Sequence, residues 1–92
     1  MMNIGGAVQA LKDGGRVARH AWVEDSRYLF LLPAAIVPLA NIHTEPLASI
    51  ACANGGTVEC LPAIRQHTAD GKVLTGWIPM VEDLLADDWY TV

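Results

Sequence analysis

Thr68-Ala69-Asp70-Gly71-Lys72-Val73-Leu74-Thr75-Gly76-Trp77-Ile78-Pro79, continued by Met80-Val81-Glu82-Asp83-Leu84-Leu85-Ala86-Asp87-Asp88-Trp89, is the stretch whose reading decides the fold. It reads as a tight turn, a strand, a sharp corner and a short helical turn, closed by a second Trp. Asp70-Gly71 between β-type runs predicts a hairpin with a type I′ turn, because Gly supplies positive φ without steric cost. The strand is expected over Lys72 to Ile78 and to stop at Pro79. Proline has no N–H for a ladder, and its fixed φ suits a first helical position. Two indoles and five carboxylates fall within this one unit, so ligand chemistry is expected against it.

Working outward, Asn3 is placed to cap a helix whose apolar face is Ile4, Val8 and Leu11, at the i, i+4, i+7 spacing. Gly14-Gly15 should end it. Arg16-Val17-Ala18-Arg19 reads as a short strand with both arginines on one face and Val17 on the other. Tyr28 to Leu32 is a buried strand by composition, stopped by Pro33. Glu59 to His67 alternates as a further strand, with Cys60, Ile64 and Gln66 on one face and Leu61, Arg65 and His67 on the other. Pro62 within it suggests an edge or a bulge. Trp89 to Val92 makes the last strand.

The fold class expected is α+β: a small, mostly antiparallel β-sheet covered by an N-terminal helix, with a short helical turn near the C-terminus. Between Tyr28 and Ile64 the only charges are Glu45 and Glu59. The prolines and Gly55-Gly56 forbid one long element there. This region reads as an irregular, largely buried insert, with one short helix around Leu47 to Ala51, serving as a subunit interface.

Ninety-two residues predict a single domain, 1–92. A chain this short buries only roughly 60–65% of its unfolded surface. Yet 52% of its residues are hydrophobic, 17% are charged, and the mean hydropathy is +0.28. That apolar surplus points to a homo-oligomer. A net charge of −4 argues against a nucleic-acid polymer as partner, which would need a basic face. No apolar run reaches the ~20 residues of a membrane-spanning helix, so no membrane association is expected. Met1 to Gly6 carries neither a basic nor an apolar leader segment, so no signal peptide is expected. The expected place is the cytoplasm, with Cys52 and Cys60 reduced. Their spacing fits no zinc framework, and His20, His43 and His67 are scattered, so neither a metal nor another cofactor is expected.

The aromatic residues are the first binding candidates. Trp22, Trp77 and Trp89 could stack on nucleobases; the plain alternative is that they anchor the core. Trp77 stands out because it sits where the strand breaks. Arg16, Arg19 and Arg65 could grip phosphate, or else pair with Asp13, Glu24 or Asp25. Asp83, Asp87 and Asp88 could accept from a base or ribose edge, or simply cap helix ends. No Gly-x-Ser-x-Gly, P-loop or Gly-x-Gly-x-x-Gly motif is present. No arrangement points to catalysis, so the chain is not expected to be an enzyme.

Both ends of the chain carry a resemblance. Ile4-Gly5-Gly6-Ala7-Val8-Gln9-Ala10-Leu11-Lys12-Asp13-Gly14, Arg16-Val17-Ala18-Arg19, Trp22 and Tyr28-Leu29 form one block. Thr68-Ala69-Asp70-Gly71, Gly76-Trp77 and Asp83-Leu84-Leu85-Ala86-Asp87-Asp88-Trp89 form the second, more specific one. Together they resemble a family of small phage and prophage proteins, the second type of Thoeris anti-defence protein. The resemblance implies a homotetrameric sponge that sequesters cyclic nucleotide immune signals without cleaving them. The implied ligand is glyco-cyclic ADP-ribose made by TIR-domain enzymes, with cyclic dinucleotides of the CBASS type taken by some members in separate pockets. On that footing a base is expected between Trp77 or Trp22 and an apolar partner, Ile4 or Met80. Asp83 should read a base or ribose edge, and Arg16 or Arg19 should meet phosphate. Met80-Val81 replaces a Ser-Gln pair common in the family, which removes both a polar contact and a helix cap. Ala21 stands at the usual Gly before the first Trp, and Ile4 where many members have Phe. The alternative reading is a protein–protein module that docks on a host protein through its apolar middle.

Overall fold

The computed structural model describes residues 1–92. In chain order the elements are α1 (Ile4–Lys12), β1 (Val17–Arg19), β2 (Tyr28–Leu32), β3 (Ala35–Pro38), α2 (Leu47–Ala53), β4 (Thr57–Cys60), β5 (Ala63–His67), β6 (Val73–Thr75), α3 (Val81–Leu85) and β7 (Trp89–Thr91). The chain divides into two compact units, Met1–Leu32 with Ala63–Val92, and Pro33–Pro62.

In the first unit, β6-β5-β2-β1-β7 form one antiparallel sheet. Its centre is fixed by Val17 opposite both Leu29 and Thr91. The two ends of the chain meet, because Met2 and Trp89 exchange backbone hydrogen bonds of 2.7 and 3.1 Å. Asn3 starts α1 as expected: its Oδ1 accepts from the Gly6 N–H at 3.0 Å. Ala7 and Leu11 of the helix are buried with Val17, Leu29 and Trp89, which completes the core. Trp89, Leu29 and Val17 are the largest fully buried side chains, each worth about 1.5–3 kcal/mol by burial alone. The α+β class and the helix-covered antiparallel sheet are therefore as the sequence predicts.

Several local expectations are corrected. The loop after β5 is not a type I′ turn. The Gly71 N–H donates to Thr68 O at 3.0 Å and the Thr68 N–H to Lys72 O at 2.8 Å, with only Gly71 at positive φ (+83°). That is a type I turn followed by a left-handed glycine, the longer hairpin solution. The strand then ends at Thr75, before Pro79. Gly76 turns the chain at φ +90°, and a Cβ there would meet nothing within 4 Å, so the need for glycine is conformational alone. Pro79 does not open α3; Met80 is its N-cap. Glu59 to His67 is not one strand. It breaks at Leu61-Pro62, because proline has no N–H for the ladder, and its halves join different sheets. Arg16 and Arg19 do not share a face, since residues three apart on a strand alternate to opposite sides. The Arg16 guanidinium lies 5.0 Å from the Tyr28 ring centroid, while Arg19 pairs with carboxylates from the C-terminal block.

The second unit holds more regular structure than expected. β3 and β4 pair antiparallel in full register, from Ala35 opposite Cys60 to Pro38 opposite Thr57. The Leu39 N–H donates to Gly56 O at 2.8 Å, which ties the ribbon to the turn after α2. The short helix is found at Leu47–Ala53. The expectation of a largely buried insert is corrected: only Ala51 and Val58 are buried, while Ile36 and Leu61 are 71% and 75% exposed. A two-stranded ribbon with one helix of two turns has too little material to cover both faces.

Candidate functional site

Two cavities open on the helix-covered face of the five-stranded sheet, and Trp77 lines both. The first, of about 130 Å³, is apolar throughout and lies between Ile4, Val8 and Leu11 of α1 and Val17, Leu29 and Ile64 of the sheet. The second, of about 270 Å³, is bounded by Arg19, Arg27, Gln66, Glu82 and Asp83, with Trp22, Trp77, Ile78 and Met80 as its apolar walls. Strand alternation explains the pair. Ile64 and Gln66 are two apart on β5 and share the inward face, one beneath each cavity.

The three indoles pack mutually edge to face. Trp22 and Trp89 lie 5.3 Å apart at 81°, Trp22 and Trp77 6.2 Å at 75°, and Trp77 and Trp89 6.1 Å at 85°. Each such contact is worth about 0.5–1.5 kcal/mol beyond area burial. The Trp22 ring is nearly enclosed, and Arg27 covers one of its faces at 4.7 Å. Trp77 is only half-buried, so it has ring surface to offer.

Asp83 is the keystone. It is 7% exposed, and Arg19 Nη1 donates to its Oδ1 at 3.0 Å. The Met80 N–H donates to its Oδ2 at 2.9 Å, which restores from the third helical position the cap that Met80 itself lacks. Trp89 Nε1–H donates to the Asp83 carbonyl oxygen at 3.0 Å. Arg19 also donates through Nε to Asp88 Oδ1 at 2.9 Å, and the Ala21 N–H donates to Asp88 Oδ2 at 3.2 Å. These bonds hold the Asp88 carboxyl below the ordinary aspartate range, Arg19 being the first cause, and raise the Arg19 guanidinium further above its usual value, Asp88 being the first cause. Arg19 therefore enters the pocket with its charge already balanced by two carboxylates. Arg27 is less committed. Its Nε and Nη2 both reach Asp25 Oδ2, at 3.1 and 3.0 Å, and its remaining N–H groups are free to donate elsewhere.

Of the seven candidates from the sequence, Trp22, Trp77, Met80, Asp83 and Arg19 converge on this one pocket. Ile4 does not: it lines the apolar cavity. Arg16 does not either, being on Tyr28. Arg65 alternates to the strand face opposite Gln66, and its Nε is buried without a partner. Sequence reasoning missed Arg27, Glu82 and Gln66. The signal for Gln66 was present, since a polar residue stood at an inward strand position beside Ile64. No group of three His, Cys, Asp or Glu side chains converges in a metal-holding arrangement. No helix is long and apolar enough to cross a membrane.

The family model described as Tad2-like, Thoeris anti-defense 2-like domain, matches residues 2–92. The chain belongs to that family. The match spans both sequence blocks and the middle region that the resemblance left open, so the Tad2-like assignment takes in the whole pocket. It assigns the chain a Thoeris anti-defence role. No curated protein matches the chain.

Proposed function

We propose that this Tad2-like protein is a sponge: it captures cyclic nucleotide immune signals intact and keeps them from their receptors in the host cytoplasm. The ligand class is glyco-cyclic ADP-ribose, with cyclic dinucleotides as further candidates. The observation that carries the reading is the convergence of Trp77, Met80, Arg19, Asp83 and Trp22, drawn from both ends of the chain, on one pocket. In it Trp77 and Met80 offer apolar surface for a base, and the free N–H groups of Arg27 face the place of a phosphate. Arg19 and Asp83, tied to each other, act mainly by holding these walls in place.

The size of the pocket supports an assembly. About 270 Å³ is below the ~300–1,000 Å³ of sites that enclose a whole drug-sized ligand. It takes a base and its ribose, and a second subunit must cover the rest. The apolar surplus of the sequence supplies the surface for such an assembly, and a homotetramer is the form proposed. The family role and a pocket built of stacking and pairing groups support binding without turnover.

The test is native mass spectrometry of the protein, alone and with glyco-cyclic ADP-ribose or a panel of cyclic dinucleotides. A tetramer that gains intact ligand masses in whole-number steps is the expected result. Trp77→Ala should lose roughly 10- to 100-fold in affinity, the worth of one stacked base, while the oligomer persists. Unchanged affinity in Trp77→Ala would remove the indole from the site, and ligand consumed on incubation would turn the reading toward catalysis. A second reading, docking on a host protein, is favoured by the exposed Ile36, Ile50 and Leu61 of the second unit. A homo-oligomer in which these three resist exchange or labelling would count against it.

A further inference from the structure

Gln66 is the anomaly of the pocket. It sits on β5 between β2 and β6, opposite Leu29 on one side and Leu74 on the other. It is 8% exposed, and apart from Asp83 it is the only buried polar or charged residue of the chain. Asp83 is fully engaged by Arg19 and by the Met80 N–H. Gln66, by contrast, is held by no side-chain hydrogen bond, and its side chain lines the polar pocket; its carboxamide is open to that space rather than sealed in the core, where Arg65 Nε is the one side-chain polar atom buried without a partner.

An amide that faces a pocket and has no partner in the fold is completed by whatever fills that pocket, water or a ligand. The neighbouring inward positions are Leu29, Ile64 and Val17, so a leucine or methionine would pack there at less cost. No contact within the fold makes use of the carboxamide. A carboxamide presents one donor and one acceptor side by side. That pair matches the donor–acceptor edge of adenine, an exocyclic amino group beside a ring nitrogen. Trp77, on the same pocket wall, supplies the face on which such a base would lie.

We propose that Gln66 is the base-reading residue of the pocket, its carbonyl oxygen accepting from the amino group of an adenine and its NH2 donating to the neighbouring ring nitrogen. This rests on the sponge reading above and deepens it. Gln66 gives the pocket a preference within its ligand class, for rings that carry an amino group next to an acceptor nitrogen. Arg27 and Trp77 are indifferent to that edge.

The experiment uses the full chain with glyco-cyclic ADP-ribose and with its analogue lacking the 6-amino group, titrated calorimetrically against wild type and Gln66→Met. Thermal melting of both proteins without ligand is run alongside. The expected result is a loss of ~10- to 100-fold in affinity for the adenine ligand in Gln66→Met, and a much smaller loss for the amino-free analogue. The unliganded variant should melt at the same temperature as wild type or higher, because the amide makes no hydrogen bond within the fold. A merely structural role would do the reverse: it would lower the melting temperature and weaken both ligands equally, and that overturns the inference. Wild-type affinity in Gln66→Met also overturns it, and leaves the sponge reading standing. If wild type binds neither ligand, the sponge reading fails and the inference falls with it.

Discussion

Two cavities share one sheet face and one tryptophan, yet they differ in kind. The apolar cavity, under α1, is walled by side chains with nothing to offer but dispersion. The polar pocket, two residues further along β5, carries two arginines, two carboxylates and an unpaired amide. The first is a packing gap that a longer side chain would fill with profit. The second is bordered by a charged network and by an amide that no protein group answers. Interiors tend to close up wherever closing costs nothing.

The comparison breaks most completely if Asp83 is removed. Asp83→Ala takes a partner from Arg19, the cap from Met80 and the rigidity from the pocket wall. A loss of about 3 kcal/mol in folding stability is expected in urea denaturation. Asp83→Asn, which keeps an acceptor for the Met80 N–H, should lose about half as much. If the two substitutions cost the same, the cap contributes nothing.

Acid should act at Asp88, beside the Arg19 network, and at the turn between β5 and β6. The folded-state pKa of Asp88 lies below its unfolded value, with Arg19 as first cause, and that of exposed Asp70 is lowered through its Thr68 hydrogen bond and by Lys72. A depressed carboxylate contributes stability that is fully present above its unfolded pKa, about 4, and lost as pH falls through the folded-state value. The melting temperature should therefore be flat from neutral pH to about 5 and decline below about 4. Asp88→Asn should flatten that decline in part; a melting curve of unchanged slope would show that the Arg19 pair does not stabilise the fold.

The smallest effect sharpens the contrast from the apolar side. Val8→Leu adds one methylene toward the 130 Å³ cavity. A gain of about 0.5–1 kcal/mol is expected, with ligand affinity untouched. A loss of stability would mean that the cavity is closed off from Val8, and a loss of affinity would mean that the two cavities are coupled through Trp77.

Much of the fold was legible because its signals are local. Asn3, the Ile4–Val8–Leu11 spacing and the glycines after Asp13 set α1 without help from the rest of the chain. Composition marked β2, and the last strand, expected over Trp89 to Val92, forms over Trp89–Thr91. Where local signals were ambiguous, the tertiary structure chose. Asp70-Gly71 fits either of two hairpin turns, and strand pairing selected the longer one. Glu59 to His67 alternates well enough for one strand, but the missing N–H of Pro62 divided it between two sheets.

For the site, the sequence by itself determined which residue types were available: indoles at 22 and 77, a soft apolar Met80, and aspartates at 83 and 88. Only the tertiary structure decided their roles. The Arg19 pairs reach across 64 and 69 positions of the chain, and no spacing rule spans that distance. Which arginine is balanced and which keeps free donors, Arg19 or Arg27, depends on those pairings alone. So does the placing of Gln66, whose side chain lines the polar pocket with no hydrogen bond to the protein. A pattern of alternation can place a side chain on a face, but only packing shows whether anything there completes its hydrogen bonds.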